Sequence, residues 1–305
     1  MDIVIEIAVT LLHQFHQPTL AFLIGGMVLA ALGSRFEITA PVYNFMVIVL
    51  LLKVGLSAGI SVRQADLAEL AVPAVLAVVC GIAIVLLGAV TLERRRNVAR
   101  MDAMATAGLF GAVSASTLAA GMAVLEEDGI AYEGFIGALY PMMDIAALIT
   151  AIVLARLSVA RTVTVSSTAG DGTATLGSAQ TRFKGLLSIL MLIMGMEAWS
   201  RLSEMRKVAH VYILYGVSGP LVHGLIGFGA GVIAHELTGF SPGGVILLAV
   251  MAASSSDISG PPMLRGALPE ANPSAYVGTS TGIGTPVAIL SIPLSIMLAE
   301  MVMGR

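Results

Sequence analysis

Four consecutive side chains, Ser254, Ser255, Ser256 and Asp257, interrupt an apolar run, VILLAVMAA (245–253), and Ser259, Gly260, Pro261 and Pro262 follow at once. Hydroxyls and a carboxylate are hard oxygen donors of the kind that hold a small cation. Two prolines remove two backbone donors and clash with the preceding turn, so a helix is expected to break here. A broken helix exposes amides on one side and carbonyls on the other. Free amides at a positive helix end suit an anion, whereas carbonyls, hydroxyls and a carboxylate suit a cation such as sodium.

A second polar cluster has the same look. GLFGAVSASTLAAGM (108–122) carries Ser114, Ala115, Ser116 and Thr117 in mid-run and resembles LAVMAASSSDISGPP (248–262). Ser114, Ser116 and Thr117 with Ser255 and Ser256 are candidates for anion or cation contacts, or for hydroxyl bonds to their own helix backbone. Asp257 is the leading candidate for a cation ligand, its alternative being a carboxylate that caps a broken helix. Each cluster is followed by a run with a further expected break, Pro141–Asp144 in one and Thr285-Pro286 in the other. Asp144 is read equally as an ion-pathway group or a cap, Glu197 as interfacial beside Trp199 and Arg201, and Lys53 as paired or reaching an interface. His223 and the methionines 191, 194 and 196 are read as buried packing, the histidine with a hydrogen bond.

The elements that position these residues must lie in a bilayer. Of 305 residues, 57% are hydrophobic and 11% charged, and the mean hydropathy is +0.94. Soluble domains carry about 25% charged residues, so this chain has too few to cover a solvated surface. In lipid, broken backbone persists only where it is buried in protein or lines a cavity, and the serine–aspartate interruption therefore reads as a transport site. Taking about 20 apolar residues per crossing, nine spans are expected near 18–34, 41–62, 70–92, 101–125, 134–156, 183–202, 209–235, 242–264 and 273–301. Residues 1–17 read as a short interfacial helix.

Charge sets the orientation. Arg94, Arg95, Arg96 and Arg100 follow the third span, and Glu126, Glu127, Asp128 and Glu133 follow the fourth. Basic loops stay in the cytoplasm, which places the N-terminus outside and the end of the fifth span inside. Arg206, Lys207 and Arg265 give 209–235 and 242–264 the orientations opposite to 70–92 and 101–125. The expected architecture is all-α: a five-helix repeat at 18–157, a polar cytoplasmic linker at 158–182 and an inverted second repeat at 183–305, with discontinuous helices and the site where the breaks meet. Two five-helix repeats need ten spans, and the first helix of the second repeat has no counterpart in the Ser/Thr/Gly-rich linker. The C-terminus is expected outside.

Other functions find little support. The net charge of −3 gives no reason to expect nucleic-acid binding, and the single cysteine, Cys80, excludes an intrachain disulfide. No strained nucleophile turn surrounds the serines, and neither metal-ligand spacing nor a phosphate-binding glycine loop occurs. An enzyme and a resident cofactor are therefore not expected.

HQPTLAFLIGGMVLAALGS (16–34), GLFGAVSASTLAAGM (108–122), GALYPMMDIAALITAIVLA (137–155), GLLSILMLIMGMEAWSRL (185–202), ASSSDISGPPMLR (253–265) and ANPSAYVGTSTGIGTPVAI (271–289) resemble the sodium-dependent bicarbonate transporter family of bacteria. The resemblance implies a ten-helix fold of two inverted repeats, a homotrimer in the plasma membrane, and elevator-like symport of bicarbonate with sodium. It also implies control by a cytoplasmic PII-like nucleotide-binding regulatory protein. Carried over by motif, the site spans Gly111–Thr117 and Ser254–Gly260. Gly111, Ala112, Ser114, Ser116, Thr117, Ser255, Ser256 and Gly260 are then expected at bicarbonate, and Asp257, Ser254, Ser259, Ser114, Asp144 and Glu197 at sodium. The alternatives are a sodium-coupled carrier of another small anion and a non-transporting scaffold or sensor that binds the regulator.

Overall fold

A computed structural model describes residues 18–34, 67–95, 98–160, 210–257 and 259–304, together with positions 45, 49, 56, 59, 60, 63, 188, 189, 192 and 196. The interfacial helix expected at 1–17, most of the span at 41–62 with Lys53, residues 161–187 of the linker region and most of 183–202 with Glu197, Met191 and Met194 lie outside these.

Among the described residues every element is helical. In chain order they are α1 (Pro18–Ala31), α2 (Leu67–Glu93), α3 (Arg100–Gly111), α4 (Ala115–Glu127), α5 (Ile136–Ala160), α6 (His210–Thr238), α7 (Pro242–Ala253), α8 (Gly260–Ala267), α9 (Pro273–Thr279), a π-helical turn (Ser280–Gly284), α10 (Thr285–Leu290) and α11 (Ile292–Met303). Among the described residues five stretches are long and apolar enough to cross a membrane: Glu69–Glu93, Arg100–Glu127, Ile136–Leu157, His210–Thr238 and Ala275–Met303. Their faces differ in kind. The apolar window of Arg100–Glu127 is 94% buried, against 39–44% for the other four. The chain is an all-helical membrane protein in which α3–α4 runs through the protein interior while α2, α5 and α6 turn side chains such as Val75, Ile145 and Leu225 outward. This is where broken backbone belongs.

Both expected breaks at the polar clusters are present. α3 ends at Gly111, Ala112 turns to extended backbone, and Ser114 starts α4 as its N-cap, accepting from the Thr117 amide. α7 ends at Ala253 with Ser254 extended, and α8 begins at Gly260. The two further breaks are not. α5 passes unbroken through Pro141–Asp144. Pro141 sits near the amino end of α5, where its missing N–H removes only the bond to the first-turn carbonyl of Gly137 and the entering chain can give way. At Thr285-Pro286 the chain also stays helical, and the proline is absorbed by the widened turn before it. The Thr285 amide donates to Ser280 O, five residues back, and Pro286 lies in the first turn of α10. Proline with a π-type turn is a common origin of a bend in a helix that does not break.

Two carboxylates tie the halves together at opposite ends of the bundle. Glu133, just before α5, accepts from Ser241 N at 2.5 Å and Ser241 Oγ at 2.9 Å at the start of α7. Asp102, in the first turn of α3, accepts from Asn272 N at 2.7 Å, just before α9. Beside the first tie, burial and the Glu126 carboxylate push the Tyr132 phenol well above its usual range, so it stays a donor to Glu126.

Close packing of α2 on α3 positions the first break. A Cβ on Gly111 would meet Val85 Cγ2 at 2.5 Å and Gly81 O at 2.8 Å. Gly111→Ala is expected to lower the thermal unfolding midpoint in detergent, at an overpacking cost of about 1–3 kcal/mol. Gly229→Ala, where nothing lies within 4 Å, should be neutral or stabilising by up to about 1 kcal/mol.

Candidate functional site

An α-helix joins each amide to the carbonyl four residues earlier. The break after α3 opens several such pairs, the first being the Leu109 carbonyl and the Val113 amide. Neither of these two groups is left unpaired. Leu109 O accepts from Ser256 N of the other break at 2.8 Å, and Val113 N donates to Asp144 Oδ1 on α5 at 3.0 Å. Ser114 N donates across to Ser254 Oγ at 3.0 Å, and that hydroxyl donates on to Met251 O at 2.7 Å. The two breaks therefore cross and satisfy each other.

The carbonyls of the second break are served by the bent helix α9–α10. Ser280 Oγ donates to Ser256 O at 3.0 Å and Thr285 Oγ1 to Ser255 O at 3.4 Å. Ser255 Oγ donates to Ser280 O at 3.2 Å. Ser280 O thus takes both the π-type amide bond and a hydroxyl from the break.

Two hydroxyl relays run through the crossing. In the first, Thr117 N donates to Ser114 Oγ (3.1 Å), which is 2.8 Å from Ser116 Oγ, and Ser116 Oγ donates to Asp257 Oδ2 at 2.8 Å. A serine has one proton. Since Ser116 gives its own to Asp257, Ser114 must donate to Ser116. In the second, Gly260 N donates to Ser256 Oγ (2.9 Å), which is 3.1 Å from Ser259 Oγ, and Ser259 donates to Asp144 Oδ2 at 3.2 Å. By the same count Ser256 donates to Ser259. Each relay starts at the amino end of a half-helix and ends on a carboxylate from the other half of the chain. Chains of this kind polarise along their length.

The amino ends are not equal. α8 begins Gly260-Pro261-Pro262: the glycine amide is taken by Ser256, and the prolines have none. α4 begins Ala115-Ser116, whose amides fall in the first turn and have no acceptor within the helix. Thr117 Oγ1, fully buried beside them, has no hydrogen-bond partner among the described residues. Asp257 is half-buried at this end, whereas Asp144 is buried with each oxygen holding one donor.

The structure thus brings together Ser114, Ser116, Thr117, Ser254, Ser255, Ser256, Asp257, Ser259, Gly260 and Asp144. Gly260 allows the breaks to approach, since a Cβ there would lie 2.5 Å from Leu109 Cδ2. Gly111 and Ala112 are buried, and the glycine faces α2. Glu197 lies outside the described residues. His223 is buried as expected, against Phe110 and Tyr215 with ring centroids at 6.1 and 5.9 Å, but its Nδ1 has no hydrogen-bond partner among the described residues. Sequence reasoning missed Ser280 and Thr285 as structural members of the site. Their signal is spacing: Val113 meets Asp144 thirty-one residues on, and Ser255 meets Thr285 thirty residues on.

With this geometry in view, comparison with protein families is decisive. Residues 18–170 and 168–300 match the model of the Na+-dependent bicarbonate transporter superfamily. The chain belongs to that superfamily. The matches cover both crossing segments and meet inside the Ser/Thr/Gly-rich linker. Comparison with curated proteins returned no match. Among the described residues the polar crossing is a pair of backbone breaks inside the buried core of this superfamily member.

The hydroxyls that serve the second break give a direct test of the crossing. Ser280→Ala leaves the buried Ser256 carbonyl without its side-chain donor, and thermal unfolding should show a loss of about 1–3 kcal/mol. Ser218→Ala, which removes an exposed hydroxyl bonded within its own helix, should leave the midpoint within experimental error.

Proposed function

We propose that the chain is a sodium-coupled bicarbonate symporter whose solute site lies at the amino end of α4. The observation that carries this reading is the Ser116–Asp257 hydrogen bond, which holds a carboxylate from one half of the chain at the positive end of a half-helix from the other. The amides of Ala115 and Ser116 with the Thr117 hydroxyl suit the oxygens of a small anion. Asp257 with the oxygens of Ser116 suits a sodium ion.

Coupling follows from charge. A carboxylate and a bicarbonate about 4 Å apart repel by about 4 kcal/mol at an effective dielectric constant near 20. Bicarbonate therefore binds poorly until sodium has neutralised Asp257, and the empty site and the doubly loaded site both avoid an uncompensated anion pair. Sodium loads first and bicarbonate second.

The same reading takes the halves 18–157 and 183–305 as inverted repeats. Its support is the reciprocal pattern of the two relays, in which each half supplies a carboxylate to a hydroxyl at the break of the other. The family resemblance supports elevator-like movement, a homotrimer in the bacterial plasma membrane and a PII-like regulator on the cytoplasmic face, and the charge of the loops supports both termini outside.

Purified protein in liposomes should accumulate labelled bicarbonate under an inward sodium gradient, and wild-type vesicles without such uptake would sink the symport reading. Asp257→Asn should abolish sodium stimulation while the protein still elutes as a single species. Sodium activation unchanged from wild type in that variant would remove Asp257 as the cation ligand. Thr117→Val should raise the bicarbonate KM about fivefold, the value of one neutral hydrogen bond, with the sodium activation curve unmoved.

A further inference from the structure

We infer that Asp144 is a positioning residue that clamps the two breaks in register, and that it acts through Val113 and Ser259 without being a sodium ligand. Its carboxylate is 6% exposed and belongs to an unbroken helix, α5, outside both crossing segments. One oxygen accepts from the amide that the first break leaves without a helical partner, Val113 N at 3.0 Å, and the other from Ser259 Oγ of the second break at 3.2 Å.

The consequence is geometric. Leu109, whose carbonyl would otherwise hold Val113, is bound instead to Ser256. If the carboxylate were lost, the Val113 amide would be drawn back towards the Leu109 carbonyl and would compete there with the Ser256 amide. Asp144 therefore keeps the first break open and, through Ser259 and Ser256, orders the start of α8. The contrast with Asp257 is in placement. Asp257 lies on a break and half-buried, whereas Asp144 is sunk behind the breaks with a donor on each oxygen.

Asparagine separates a clamp from a charge. In Asp144→Asn the amide oxygen still accepts from Val113 N, and the amide nitrogen donates to Ser259 Oγ, whose hydroxyl turns towards Ser256. Both links survive while the negative charge is gone. Asp144→Ala loses both links. Ser259→Ala loses one.

The proposal rests on the symport reading for its transport measurement and is independent of it in the other, amide hydrogen exchange on the full-length protein in detergent. Asp144→Ala should speed exchange in both 112–114 and 254–260, Ser259→Ala in 254–260 alone, and Asp144→Asn in neither. In liposomes Asp144→Asn should keep wild-type sodium activation. Asp144→Ala should raise the bicarbonate KM on the order of tenfold, the factor a charged hydrogen bond supplies.

Loss of sodium activation in Asp144→Asn equal to that in Asp144→Ala would make Asp144 a charge ligand and overturn the proposal. So would wild-type exchange in Asp144→Ala. If Asp144→Ala yields no folded protein, the Asp144→Asn and Ser259→Ala pair decides by the same exchange pattern. Wild-type vesicles that take up no bicarbonate would end the symport reading, and the exchange results would still decide the clamp.

Discussion

The structure depends on one exchange of backbone partners. Leu109 and Val113 would bond each other in a continuous helix. Here the carbonyl goes to Ser256 and the amide to Asp144. In an apolar interior an unpaired peptide group is expensive, so neither break is stable without the other, nor without α5 to take the displaced amide. This explains why two broken helices cross, since each supplies what the other lacks. It also explains the small residues around them. Gly260 and Gly284 approach Leu109 and Phe110 more closely than a Cβ allows, and Gly111 does the same against α2.

Where the helices break, and where they do not, corrects a simple reading of proline. Pro73, Pro141 and Pro220 all lie inside helices that continue. The first break contains no proline at all. What distinguishes the real breaks is a local supply of hydrogen-bonding side chains: Ser114 caps α4, Ser254 and Ser256 receive amides from the crossing, and Asp144 stands ready for Val113. A proline removes one donor, which a helix can tolerate by bending, as the turn at Ser280–Gly284 shows. A helix stays open in the interior when the groups freed at the crossing find other partners, as Leu109 O, Val113 N and Ser114 N do here.

This marks how far the sequence could be read. The serine clusters at 114–117 and 254–257 were legible because hydroxyls and a carboxylate have no packing role in an apolar run, and the spans at 70–92, 101–125, 134–156, 209–235 and 273–301 because length and hydropathy are local properties; the run at 242–264 instead divides into the shorter helices α7 and α8. Asp144 was visible as a buried charge, but its function was not, because that is fixed by an amide thirty-one residues away. Ser280 and Thr285 looked like ordinary helix threonines and serines. Only the crossing shows that they face carbonyls left over by the second break. What is written in long-range pairing cannot be read from composition or period.

The asymmetry between the half-helix ends gives the site its direction. Both ends carry a relay of two serines and a carboxylate, so a symmetric crossing would offer two equivalent anion sites. Pro261 and Pro262 prevent this by stripping α8 of amides in its first turn, while Ser256 occupies the Gly260 amide that remains next to them. α4 keeps its amides and adds the unpartnered hydroxyl of Thr117. On the proposed symport reading, the same prolines that first drew attention to the second break act less as helix breakers than as blocks on anion binding at that end. That reading leaves an anion with the α4 end, beside Asp257. A site that places its anion-binding amides beside a fixed carboxylate cannot hold the anion well until a cation stands between them.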